Sequence, residues 1–470
     1  MGSWFTHVEQ NRFIFLNDYL FAPIFIFILM LLIKRRIKIK PSKLKHKYLL
    51  KAFWFKIFCT ILFAGIYQYY YKGGDTNTYF LNIQNVHNIF YENPFMFFKI
   101  IFSIQPDLFE YKKYLGESTY FYADPSVYAV IRIGALLSFP LLKTYMLIAL
   151  TFSMFCLYGC WKIFELFQRL YPHLEKELAV ACVFLPSVGF WGSGILKDPL
   201  CMGALGALTY HAYRLFFDRN KIIRRIIMIA CCLVMLKVIK VYILLSFLPA
   251  YSFWLIFHFK ENINSRFIKA LMSPMLFAVS TLMGMYIFIK VAQISNKYAL
   301  ENLMRTAKDT QNWLYYSSQT QGGSGYTLGK LDYSLKGLLK VAPKAINVTL
   351  FRPYIWEAKK LILIPAALEG LISLFLTIRL LYKAGFVRFF KLILTNPEVQ
   401  FCMIFSLIFA FSVGFTSYNF GSLVRYKIPL MPFYFIALFI LADREKEEEK
   451  KEKAQMKLKP AAKRLSTLST

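Results

Sequence analysis

The stretch Phe184–Leu208, "FLPSVGFWGSGILKDPLCMGALGAL", sets the pair Lys197 and Asp198 between two strongly apolar runs. A charge in or beside a bilayer is expensive, and is usually paired, hydrated or functional. Its neighbourhood is typical of the chain. Of 470 residues, 57% are hydrophobic and 18% aromatic, and the mean hydropathy is +0.45. Apolar windows of ~20 residues recur, the length that crosses ~30 Å of hydrocarbon. Short alternating strands, the mark of a membrane barrel, do not occur, nor do the polar faces of soluble helices. The expected fold is therefore all-α: a polytopic helical membrane protein.

The periodic apolar runs predict about eleven membrane helices, near residues 13–33, 52–71, 140–162, 177–192, 199–217, 224–240, 241–259, 267–293, 361–382, 399–416 and 428–442. The 224–259 stretch reads equally as two short helices or as one span and a re-entrant piece. The first run lacks a small-residue cleavage site, and so reads as a retained helix.

The net charge of +31 carries no nucleic-acid motif, because the Lys and Arg residues lie mainly between apolar runs. Short basic loops stay in the cytoplasm. "KRRIKIKPSKLKHK", "DRNKIIRR", "KENINSRFIK" and "YKAGFVRFFK" all fall on one side of the predicted spans. The amino terminus is then outside. A transmembrane domain over 1–442 precedes a charged, disordered cytoplasmic tail over 443–470. Two long segments, about 72–139 and about 294–360, are left as structured external loops. "YSLKGLLKVAPKAINVTLF" within the second suits an interfacial helix, and its Asn347 opens a weak glycosylation sequon. All eight cysteines fall in apolar segments, where Cys acts as a small hydrophobe. No metal spacing or disulfide framework is visible, so no cofactor is expected, with a divalent cation left open.

Four polar corners fall on the external side. In the opening stretch Pro199 starts a helix, which makes Asp198 a candidate N-cap, while Lys197 either snorkels to the headgroups or binds substrate. "YYYKGGDTNTYF" places Asp75 after two glycines that permit a tight turn. Its bland reading is a turn or cap aspartate. Asp124 is a second acid in the same loop. "LFRPYIWEAKK" carries Arg352 and Glu357 around Trp356, the alternative being an interfacial anchor. "SYNFGSLVRYKIPLMPFYF" carries Arg425 and Tyr426 before two prolines, and an Arg fork suits phosphate. One acid as base with several cations as a phosphate clamp would need this inventory.

This arrangement of an aspartate-bearing first external loop, many further helices, a later structured external loop and a basic "RYKIPLMP" element resembles the GT-C integral-membrane glycosyltransferases. The resemblance implies a polyprenyl-phosphate sugar donor, a lipid-linked or surface glycan acceptor, and Asp75 in the acid role. It puts Lys197 and Arg425 at the lipid phosphate. It also implies a site on the external face of a membrane, in a chain whose composition fits a bacterial plasma membrane. The chain departs from the family in having one acid after two glycines and one extra leading helix. A surface polysaccharide polymerase would use the same basic lip. A transporter or lipid flippase is the reading from another class, for which Lys237 and Lys240 in "CCLVMLKVIKVYILL" would line an internal path. The two lysines facing each other across a path at mid-depth would favour transport; both at the outer surface with Lys197 would favour the transferase.

Overall fold

A computed structural model describes residues 12–103, 107–218, 221–261, 325–329 and 334–468, with isolated positions between 282 and 316. The described residues are helical, joined by turns, with one isolated β-bridge between Gly325 and Asn419. Six helices among them are long and apolar enough to cross a membrane, or seven if the bent pair Phe420–Tyr426 and Met431–Lys453 counts as one span. The chain is an integral membrane protein by this measure. The helix expected over 267–293 and, apart from isolated positions, the 294–324 part of the expected 294–360 loop lie outside the described residues.

The chain divides into two compact units, 1–172 with 182–244, and 173–181 with 245–470. In the first, α1 (Leu16–Ile39) and α2 (Leu50–Gly65, within the span Lys45–Tyr70) pack against α7 (Tyr145–Leu170). Between α2 and α7 the segment expected as an external loop folds into α3 (Asp75–Glu92), α4 (Pro94–Phe102), α5 (Leu108–Leu115) and α6 (Pro125–Ser138). The turn ahead of α3 needs its glycines, since Gly73 and Gly74 have φ of 145° and 111°.

The predicted helix 177–192 is broken. It forms α8 (Glu175–Val183) and α9 (Pro186–Trp191), because Pro186 lacks an N–H and drives Leu185 to an extended conformation, φ −65°, ψ 121°. Nine helical residues in α8 rise only about 14 Å, against ~30 Å of hydrocarbon. After the corner 192–196, α10 (Lys197–Phe217) packs on α7 through glycines. A Cβ on Gly206 would come within 2.1 Å of the Gly159 carbonyl oxygen. The 224–259 stretch is two helical pieces that meet at a kink at Lys240 (φ −148°, ψ 78°), together named α11 (Ile222–Glu261).

In the second unit α12 (Leu335–Phe351) packs against α15 (Pro397–Ser417), with Gly414 against the Ala345 carbonyl and Thr349. The sequon lies in this contact. Thr349 is fully buried, its hydroxyl donates to Ala410 O at 2.7 Å, and Asn347 donates to the Tyr354 hydroxyl at 3.4 Å. Around this pair lie α13 (Ile364–Ala384), the short α14 (Phe386–Leu394), α16 (Phe420–Tyr426) and α17 (Met431–Leu468). The charged 443–468 segment continues α17 as helix, and Arg388 on α14 ion-pairs with Glu448 and Glu452 at 3.0 Å each. Seven cysteines are buried free thiols, and Cys231 is exposed.

Candidate functional site

The corner of the first unit is built from two elements that meet at Thr76. Gly194, at φ +78°, turns the chain beside Phe63 and aims the next backbone N–H inward. Ile195 N donates to Thr76 Oγ1 at 3.2 Å, and Thr76 shares a 2.8 Å hydrogen bond with the Tyr145 hydroxyl. Thr76 is the second residue of α3, so the start of α3 and the start of α10 are held together. Asp75, the first residue of α3, is exposed beside this joint.

The N-cap expectation for Asp198 is overturned. Leu196 is the N-cap, with no side-chain cap bond, and Asp198 is the second residue of α10. Its carboxylate is buried and accepts from Lys240 Nζ, at the break in α11. Removing one partner would strand a charge in an apolar interior, so the pair fixes α11 to α10. Lys197 does not simply snorkel. Its Nζ donates to Ser126 Oγ at 2.5 Å and stands 3.7 Å from Asp124 Oδ2. Ser126 Oγ donates in turn to Asp124 Oδ1 at 2.6 Å, and the same carboxylate oxygen caps α6 through Ser126 N at 2.8 Å. A lysine, a hydroxyl and a half-exposed carboxylate thus form one hydrogen-bonded chain, positioned by two helix starts.

Lys56 was not singled out by the sequence reading. It is a buried cation within the span Lys45–Tyr70. Its ammonium donates to the carbonyls of Gly189 (2.9 Å) and Val188 (3.3 Å) and to Cys156 Sγ at 3.6 Å. Those carbonyls belong to the C-terminal part of α9, where a cation is favoured by the helix dipole. Beside it Thr60 donates to Ser153 at 2.8 Å. Lys56, set among the apolar residues of "AFWFKIFC", was the available signal.

The second unit holds the other corners. Arg352 Nε reaches both Glu357 oxygens, at 3.1 and 2.9 Å, and a second guanidinium nitrogen completes a fork. Burial raises the Glu357 carboxyl, but the Arg352 pair and a 2.9 Å bond from Tyr354 N prevail and hold it below the ordinary value. Arg352 also lies 5.0 Å from the centre of the Phe420 ring and 5.7 Å from that of Tyr326. Trp356 is 78% exposed, as an interfacial anchor would be. Lys427, fully buried, donates to the Arg352 carbonyl at 3.0 Å. Arg425 and Tyr426 end α16, whose start Asn419 caps through Gly421 N at 2.7 Å, and both are partly exposed.

The sequence-selected residues therefore fall into two sets. Asp75, Asp124, Lys197 and Asp198 belong to the first unit, and Arg352, Glu357, Arg425 and Tyr426 to the second. Lys240 stands with the Lys197 corner, while Lys237 is exposed. Among the described residues no group of three His, Cys, Asp or Glu side chains could hold a metal ion. Compared with protein families, curated proteins and solved structures, the chain shows no match.

Proposed function

We propose that the chain is an integral-membrane glycosyltransferase of the GT-C type, which transfers a sugar from a polyprenyl-phosphate donor to a lipid-linked or surface glycan acceptor. The observation that supports this reading is the chain Lys197–Ser126–Asp124 at the joint where α3, carrying Asp75, meets α10. In the proposed reaction an acceptor hydroxyl attacks the anomeric carbon and the bond from that carbon to the phosphate oxygen breaks. The hydroxyl proton passes to Asp75 or Asp124, and the departing lipid phosphate keeps the electron pair opposite Lys197. A fixed cation there acts where charge develops. The buried Asp198–Lys240 pair contributes no net charge, so Lys197 keeps the cationic role at this corner. For the second unit we assign Arg425 and Tyr426 to donor or glycan contacts, and Arg352 with Glu357 to shaping the re-entry beside them.

We further propose about eleven spans, with the 72–139 and 294–360 segments and the site on the external face of a bacterial plasma membrane. An impermeant thiol reagent tests the orientation in intact cells of a Cys231→Ser background, which keeps the buried thiols. Tyr91→Cys should label and Lys38→Cys should not. The reverse pattern removes the external site.

The chemical test is glycan transfer in membranes holding equal amounts of each variant. If Asp75 takes the proton, Asp75→Asn should lower turnover by ~10²–10⁴ while expression and donor binding persist. Loss in Asp124→Asn alone moves the base to Asp124, and full activity in both rejects the transferase. A surface polysaccharide polymerase would use the same corner and differs in yielding extended products.

A further inference from the structure

We propose that the opposite end of the α7–α10 pair is a binding site for the phosphate of an anionic phospholipid, independent of the transferase reading. Lys162 and Arg169 near the end of α7, Arg214 near the end of α10, and Arg224 and Arg225 in the first turn of α11 gather around two carboxylates, Glu165 and Asp218. Arg36, near the end of α1, and Lys45 reach the same cluster electrostatically. Both acids are already engaged. Asp218 accepts from Arg169 at 2.6 Å and pairs with Arg214, while Glu165 accepts from Lys162 at 2.7 Å and from the Tyr210 hydroxyl at 3.1 Å. Tyr210 lies under the Lys162 ammonium at 4.1 Å.

The dipoles at the ends of α7 and α10 offset part of this charge. They do not offset the start of α11, a positive helix end with basic residues and no acid in its first turn. Arg225 there is buried near Arg214 and Arg169, with the Asp218 carboxylate shared among the three arginines. Like charges held together in a partly dry environment favour an anion with several acceptor oxygens, and guanidinium forks match phosphate.

A second observation selects a lipid over a free anion. From the same turn an exposed apolar stripe runs along α11: Ile223 is 76% exposed, Ile226 51%, Ile227 55% and Val234 62%. A phosphate on the arginines would leave its acyl chains against this stripe. Basic pockets between helices at the membrane boundary recognise lipid headgroups in this way.

The test uses the full-length protein in detergent, with native mass spectrometry and thermal unfolding. The probes are short-chain phosphatidylglycerol, phosphatidylcholine of equal chain length, and inorganic phosphate. Phosphatidylglycerol should be retained and should raise the melting temperature, the other two should not, and Arg214→Gln with Arg225→Gln should weaken it by about fivefold per arginine. If that variant does not fold, the wild type still decides, since preference for phosphatidylglycerol should shrink as salt rises from about 0.05 M to about 0.5 M. Equal retention of phosphatidylcholine, equal protection by inorganic phosphate, or unchanged retention in the variant would overturn the proposal.

Discussion

The two units place their selected cations in contrasting surroundings. In the second, Arg352 meets Glu357 through a fork and Lys427 donates to the Arg352 carbonyl, while Arg425 stays partly exposed at the end of α16. In the first, Lys197 donates to the Ser126 hydroxyl at 2.5 Å and forms a looser ion pair with Asp124 at 3.7 Å. The neighbouring acid Asp198 is taken by Lys240. A bidentate fork in a half-buried site braces structure, whereas a looser ion pair beside a half-exposed carboxylate is more readily rearranged around a new anion. On this ground the first unit is the better candidate for chemistry at a phosphate.

The largest effect that would sharpen this contrast is on the buried pair. Lys240→Met alone should cost about 3–5 kcal/mol by stranding Asp198, whereas Lys240→Met with Asp198→Leu should recover most of the loss. Thermal unfolding in detergent measures both, and a silent single variant would mean the pair does not brace α11.

Next, Lys197→Met should weaken donor use about tenfold to a hundredfold, from loss of one charge-assisted contact of ~1.5–3 kcal/mol, with little change in melting temperature. Arg352→Met should do the opposite, lowering the melting temperature because Glu357 is left half-buried. If the two variants behave alike, the distinction between the units fails. Lys56→Met should cost ~1.5–3 kcal/mol by releasing the carbonyls of α9, and should raise the reactivity of a cysteine placed at Ser193. Unchanged reactivity would leave α9 held by packing alone.

The smallest effects lie in pH. His87 on α3 donates to or accepts from Ser138 at 2.7 Å, and burial followed by repulsion from Lys143 lowers its pKa below 6.5. The unfolded chain then takes up a proton that the folded one refuses, so stability is present above about pH 6.5 and is lost as pH falls through the folded value. Glu357 also has a lowered pKa, so its contribution is present above pH 4.5 and is lost below that, through its folded value. Unfolding followed against pH should show the loss near 6.5 vanish in His87→Gln and the lower one vanish in Glu357→Gln. A shared window would show that the two groups do not report on their units separately.

Much of the architecture was legible because hydrocarbon thickness writes itself into apolar run length. The runs at 13–33, 52–71, 361–382 and 399–416 each correspond to a candidate span. Asp75, Asp124 and Lys197 were legible as charges at the ends of such runs. Lys56 was not, because its meaning depends on a proline more than a hundred residues away, which ends α8 and turns the carbonyls of α9 toward it.

The sequence alone determined the helical class, the membrane-spanning character and the shortlist of costly charges, since these follow from composition and local period. Only the tertiary structure decided which charges are spent. Asp198 could be a cap or half of an ion pair until Lys240, forty-two residues on, is brought to it by the break in α11. Pairing in a low-dielectric interior is a matter of ångströms between distant segments, and no local pattern encodes that distance.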